Sequence, residues 1–133
     1  MKVSEILERV GYVEIRLEGP FSIKDTEEVV RESAAATSRK DGSRILVNFR
    51  GVSGGPVTTL ERYQMAMEAV RVLPKGVRTA VLNRPEMIDP EKFGVRVAQN
   101  RGLPIEVFDD EGQAIAWLTQ DDGKSPEIKN EPR

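Results

Sequence analysis

The chain has 133 residues, with 20 lysines and arginines against 22 aspartates and glutamates, so its formal net charge is -2. This near balance leaves no basic surface for a polyanion, and we expect no nucleic-acid partner. Because the sequence has no histidine or cysteine, it cannot assemble a Ser-His-Asp triad, a disulfide or the usual zinc sites, and we expect no metal or cofactor.

Charged residues interrupt the apolar ones throughout the chain. No segment reaches the roughly 18 apolar residues of a membrane span, and the N-terminus does not read as a signal sequence. A domain of this size buries roughly two-thirds of its unfolded surface, which is enough for a core. We therefore expect one cytoplasmic domain at residues 1–119 and, because residues 120–133 have almost nothing apolar, a disordered C-terminal tail there.

The N-terminal part of the chain predicts a hairpin followed by a helix. Apolar residues alternate with polar ones over residues 12–18, the pattern of a strand with one wet face, and residues 3–8 supply its partner across a glycine turn. Ser22 and Asp25 resemble a capping box at the start of a helix, and the helical pattern ends near Gly42.

The remainder of the chain alternates strands with helices. Residues 45–49 are apolar nearly throughout, as expected for a strand covered on both faces. The pattern then predicts, in chain order, a helix at 58–73, a strand at 77–82, a helix with Asp89 as N-cap and Pro90 as its first residue that ends at Gly102, a strand at 105–108, and a short helix capped by Asp109 or Asp110.

The predicted order is therefore β-β-α-β-α-β-α-β-α. Helices that alternate with strands act as crossovers, so the strands at 45–49, 77–82 and 105–108 are expected side by side and parallel. The N-terminal hairpin adds an antiparallel margin. The sequence thus predicts an α/β fold, a mixed sheet of about five strands with about four helices, whose parallel strands end at one shared edge.

Several strings in the sequence resemble a known family. ILVNFRGV at 45–52, LERYQMA in the next helix, VRTAVLN, and above all FGVRVAQNRGLPIEVFDDEGQAIAWL look like the SpoIIAA-like branch of the STAS-like proteins, relatives of the anti-anti-sigma domains. The resemblance spans residues 10–118. It implies a mixed sheet with flanking helices and a regulatory or small-ligand-binding module rather than an enzyme.

The stretch GVSGGPVTT at 51–59 admits three interpretations: a phosphorylation switch, a turn or a phosphate cradle. In anti-anti-sigma domains the matching loop carries an Asp-Ser pair whose serine is phosphorylated, but here a Pro-Val pair occupies residues 56–57. Ser53, Thr58 and Thr59 remain candidate phospho-acceptors, although hydroxyls ahead of a helix are usually caps and turn formers. The lysine of a nucleotide phosphate loop is missing, so a cradle is the weakest interpretation.

The carboxyl edge of the predicted sheet offers a candidate anion site. Arg50 ends one strand and Arg84 follows the next, and the free N–H groups of a helix start near Thr58 and Thr59 favour negative charge. Two guanidinium groups could hold a small carboxylate or phosphate there. The alternative is that both arginines are solvated or pair with nearby carboxylates, Glu86 and Asp89.

The predicted helix at 58–73 is more apolar than a single sheet contact requires. At 100° per residue its core stripe comprises Leu60, Tyr63, Ala66, Met67, Val70 and Leu73. The apolar arc extends further, to Met65, Ala69 and Val72. This excess predicts a dimer contact or the wall of an apolar pocket, unless neighbouring helices cover it.

These features favour a non-enzymatic regulatory or interaction module of the STAS-like type. It would dock a protein partner, or a second copy of itself, through the 51–59 loop and helix 58–73. The alternative is a carrier or sensor of a small anionic or amphipathic molecule at the carboxyl edge, held by Arg50 and Arg84. A minimal enzyme using Thr58 or a carboxylate is a third hypothesis, but no acid-base pair supports it. Tyr63 and Trp117 are predicted core aromatics.

Overall fold

The computed structural model describes residues 1–39 and 42–120. Its strands and helices, in chain order, are β1 (Lys2–Arg9), β2 (Tyr12–Pro20), α1 (Thr26–Ala36), β3 (Arg44–Ser53), α2 (Thr59–Val72), β4 (Arg78–Leu82), α3 (Phe93–Asn100), β5 (Ile105–Phe108) and α4 (Glu111–Thr119). Single 3-10 turns at Ile23–Asp25 and Pro85–Met87 precede α1 and α3. The predicted order of elements is confirmed; the predicted tail lies outside the described residues except for Gln120.

The strands form one mixed sheet in the order β1-β2-β3-β4-β5. β1 pairs antiparallel with β2, and each later pair is parallel. The predicted α/β sheet, with an antiparallel hairpin at its margin, is therefore confirmed. Because α1, α2 and α3 each follow a parallel strand, all three helices begin at the carboxyl edge of the sheet.

Side chains of the strands alternate between two faces of the sheet, which differ in how fully they are covered. On the back face, under α4, Leu46 and Leu82 are fully buried against Ala114 and Leu118. Trp117, predicted as a core aromatic, is only half-buried beside Phe108 and under the Arg78 guanidinium. The front face, which carries Ile45, Val47, Val81 and Val107, lies under α1, α2 and α3.

Strand β3 is longer than its apolar run predicts. It continues through Gly51 to Ser53 because β2 pairs with it as far as Pro20. A side chain at Gly51 would place its Cβ 2.7 Å from the carbonyl oxygen of Leu17, so only glycine lets the two backbones approach this closely. The prediction that a loop begins at residue 51 is therefore wrong, and residues 54–58 connect β3 to α2.

Two predicted helix starts are wrong. Helix α3 begins at Phe93, not at Pro90, because Lys92 adopts a left-handed conformation with φ of 53°. Asp89 still satisfies free donors, since its carboxylate accepts hydrogen bonds from the N–H groups of Glu91 and Phe93. Neither Ser22 nor Asp25 makes a side-chain cap, and α1 begins after a 3-10 turn. That helix also ends at Ala36, well before the predicted stop near Gly42.

The α-helices of the described residues are 8 to 14 residues long. None of them combines the length and the apolar character that crossing a membrane requires.

Candidate functional site

Residues 54–58 lead into α2 through a capping box. The backbone N–H of Glu61 donates to the Thr58 hydroxyl oxygen (3.1 Å), and the Glu61 carboxylate accepts from the Thr58 N–H (2.9 Å). This reciprocal pair satisfies two donors that a helix start otherwise leaves free. Thr59 is the exposed first residue of the helix and Ser53 the exposed last residue of β3. Phosphorylation at Ser53, Thr58 or Thr59 stays a prediction, and at Thr58 it would break the cap.

Replacing Thr58 with alanine should lower the free energy of unfolding by about 1 kcal/mol, because the helix loses its N-cap acceptor. The measurement is urea denaturation followed by circular dichroism. Thr59→Ala is the matched control: it removes the same atoms one residue later, from an exposed side chain, and should change stability little. Equal losses in both variants would contradict the role of the cap.

The two arginines of the predicted anion site lie at the carboxyl edge, and each contacts its own partners. Arg50 places a guanidinium nitrogen 3.5 Å from the Glu111 carboxylate, at the start of α4. Arg84 donates to the carbonyl oxygen of Val52 at 2.9 Å and lies 3.3 Å from the Glu86 carboxylate. An anion bound by Arg50 and Arg84 stays a prediction, and it would have to compete with these two carboxylates.

A cavity of about 200 Å³ lies between the front face of the sheet and the helices α1, α2 and α3. We call it the front cavity. Its walls are mostly apolar and come from three strands and three helices; they include Val29 of α1, Val47 and Phe49 of β3, Val81 of β4, Val95 of α3 and Val107 of β5. Val81 and Val107 are only half-buried, so part of this face of the sheet stays accessible in the cavity.

Helix α2 forms one wall of the front cavity, and part of its predicted core stripe is confirmed. One apolar cluster shared with α3 contains or contacts Ala66, Met67, Val70 and Leu73. Met65, Ala66 and Ala69 line the cavity, whereas Val72 is half-buried and does not. Leu60 is 64% exposed and Tyr63 is 38% exposed, so the prediction that both are core residues is wrong. The inward side chains at 66 and 69 are small, and small residues leave the volume under the helix unfilled.

One end of the front cavity lies beside the 54–58 connection, and we call it the loop end. It is lined by Val57, Arg62, residues 87–89 and Lys92. Met87 lies between this end and the connection, since a Cβ at Gly55 would sit 3.2 Å from the Met87 methyl carbon. Hydrogen bonds from the N–H groups of Phe93 and Glu91 lower the pKa of Asp89, so its carboxylate is ionised at neutral pH.

A buried carboxylate lies on the back face, where the sequence predicts the wet side of β2. Glu14 is 1% exposed and accepts hydrogen bonds from Arg9 at 3.0 Å, Arg16 at 2.9 Å and Asn48 at 3.2 Å. Burial by itself would raise the pKa of Glu14, but the hydrogen bonds from Arg16, Asn48 and Arg9 outweigh it and lower this pKa. With Glu5, which lies 3.2 Å from Arg16, two carboxylates balance the two arginines, and the cluster links β1, β2 and β3.

Comparison with known proteins gives a family match and a structural neighbour. A family model described as SpoIIAA-like matches residues 12–119. No curated protein matches the sequence. Among solved structures, an uncharacterised protein with a SpoIIAA-like fold from Shewanella loihica is 15% identical, with a TM-score of 0.49; the alignment covers 86% of this chain and 90% of that one.

Proposed function

The chain belongs to the SpoIIAA-like family, and from that premise we propose that it is a non-enzymatic regulatory module that docks a protein partner through residues 54–58 and the N-terminal half of α2. The observation that carries this proposal is the exposure of two large apolar side chains on the first turns of that helix. Leu60 is 64% exposed and Tyr63 is 38% exposed. We call residues 54–58, Leu60 and Tyr63 the docking surface.

The position of the docking surface supports its role in binding. Leu60 and Tyr63 are three residues apart, so they project from the same side of the helix, whereas Met65 and Ala69 on another side line the front cavity. Tyrosine is enriched at the centres of protein interfaces, where its ring is buried and its hydroxyl stays hydrated. The capping box at Thr58 fixes the helix start and therefore holds both side chains in place.

Photocrosslinking in cells tests the docking surface. A chain with the photocrosslinker p-benzoylphenylalanine in place of Leu60 should form one discrete adduct with another protein. The matched control carries the crosslinker in place of Arg71, which is exposed on the last turns of the same helix, and should form none. Tyr63→Asp should remove the adduct at position 60 because it places a charge in an apolar contact.

The mass of the adduct distinguishes a distinct protein partner from self-association. An adduct of twice the chain mass would identify a second copy as the occupant and would contradict a distinct protein partner. Adducts of equal yield at positions 60 and 71, or none at position 60, would contradict the docking surface itself.

A second function, favoured by the front cavity, is binding of a small amphipathic molecule. The front cavity, of about 200 Å³, has mostly apolar walls and is partly open to solvent. An apolar body that fills it removes these walls from water, and each Å² of apolar surface buried in this way is worth roughly 25 cal/mol. This gain favours uptake of an apolar body.

A further inference from the structure

The loop end of the front cavity carries charged side chains of both signs. The charged side chains that line the cavity are Arg62, Lys92 and Asp89, two cations against one anion. Lys92 lies 3.4 Å from the Glu106 carboxylate, and Asp89 is held by two backbone N–H groups at the start of α3. The guanidinium of Arg62 lies 3.5 Å from the carbonyl oxygen of Met87, and among the described residues it has no ion pair.

A buried hydroxyl without a partner lines the same cavity. Thr26 is 6% exposed, and its hydroxyl oxygen makes no hydrogen bond with any described residue. Buried hydroxyls normally make a hydrogen bond, because a buried polar group without a partner costs free energy. Thr26 is the first residue of α1 and Arg62 lies in the first turns of α2, so both belong to the edge where these helices begin. The positive ends of the helix dipoles add to the cationic character there.

The size of the cavity limits the apolar body. An apolar cavity of about 150 Å³ can hold one benzene molecule. The front cavity, at about 200 Å³, is somewhat larger. It therefore fits a hydrocarbon chain of roughly six to eight carbons, or a single ring with a short chain, but not a long lipid tail or a nucleotide.

We propose that the front cavity binds a single-chain amphipathic monoanion whose carboxylate contacts Arg62 and whose hydrocarbon chain fills the space under α2, with the Thr26 hydroxyl as a further donor. This inference rests on the second function proposed above and adds the chemical class of the ligand. It also moves the cation of the site from Arg50 and Arg84, as the sequence predicts, to Arg62.

Isothermal titration of the full chain with sodium octanoate and with 1-octanol tests the inference. The two probes have the same chain length and differ in the charge of the head group. Octanoate should bind about tenfold more tightly, as expected for one hydrogen bond to a charged group. Arg62→Gln should lower the affinity for octanoate to that for octanol and leave the affinity for octanol unchanged. Arg62→Lys should retain most of the difference between the two affinities because the charge remains.

Two further variants keep the experiment decisive. Arg71→Gln removes a cation from the same helix away from the cavity, and both affinities should stay the same. Thr26→Val, which preserves the shape of the side chain, should lower the affinity for octanoate several-fold. If octanol and octanoate bind equally, or Arg62→Gln leaves octanoate unchanged, the anionic class is overturned while the cavity function stands. If neither probe binds saturably, both proposals are overturned.

Discussion

Replacing Glu14 by glutamine should lower the free energy of unfolding at pH 7 by about 2 kcal/mol. The carboxylate is buried and accepts charge-assisted hydrogen bonds from Arg9 and Arg16 as well as one from Asn48. Glutamine keeps the volume but offers one weaker acceptor and turns an amide toward these donors. The loss stays below that of a fully buried ion pair because both arginine side chains are partly exposed and can turn toward water.

The cost of Glu14→Gln should depend on pH. Hydrogen bonding lowers the pKa of Glu14 in the folded protein below its unfolded value of about 4.3, despite its burial. A group with a lowered folded pKa stabilises the protein above its unfolded pKa, and this contribution is lost as pH falls through the folded pKa. The difference between wild type and variant should therefore be constant from pH 6 to 8 and shrink below about pH 4.

Urea denaturation at several pH values measures this difference directly. Asp89 also has a lowered pKa, but it is present in both proteins and cancels. Glu18→Gln is the matched control on the same strand: Glu18 is exposed and lies 4.0 Å from Lys2, so its loss should have almost no effect. A loss for Glu14→Gln that persists unchanged at pH 3 would contradict an ionised Glu14 as its source.

The strand and helix order could be predicted because the period of apolar residues changes from two to 3.6 along the chain. The cap of α4 could be predicted as Asp109 or Asp110, since a capping residue directly precedes its helix; Asp110 accepts from the N–H of Gln113 at 2.8 Å. Thr58, expected as a cap or turn former ahead of α2, is the N-cap of that helix. The start of α3 could not be predicted, because Lys92 adopts a left-handed conformation that a non-glycine residue rarely adopts.

The orientation of α2 could be predicted only in part, because its apolar residues surround most of the helix. A helical wheel places Leu60 and Tyr63 in a plausible core stripe, and only the neighbouring elements decide that Met65 and Ala69 face the sheet. The length of β3 depends in the same way on its partner, β2. Glu14 is buried because arginines from two strands cover it. The alternation of apolar and polar residues in β2 predicts only that its side chain lies on the solvent side.

The front cavity could be anticipated only as an excess of apolar surface. Its walls come from six elements, and its volume depends on distances between them that no local pattern encodes. Arg62 and Thr26 gave no signal, because an arginine on a helix and a threonine at a helix start are ordinary surface features in a sequence. The small residues Ala66 and Ala69, which face the sheet, are the signal that could have indicated unfilled space.

Ala69→Leu should raise the free energy of unfolding by about 1–2 kcal/mol. Three added carbons, each worth about 0.8 kcal/mol when buried, give roughly 2.4 kcal/mol, and ordering the leucine side chain costs about 0.5–1 kcal/mol. The sign of this change in stability distinguishes unfilled space from a close-packed core. Enlarging a side chain in a close-packed core normally costs about 1–3 kcal/mol, so a gain is expected only where the new atoms enter existing space.

Ala80→Leu provides the matched control, because Ala80 is fully buried on the back face, where α4 packs directly on the sheet. The same substitution there should destabilise the protein by about 1–3 kcal/mol. Thermal and urea unfolding of both variants measure the contrast. Equal destabilisation in the two would mean that the space under α2 is closed, because a close-packed front face could not accept leucine at position 69 any better than the back face accepts it at position 80.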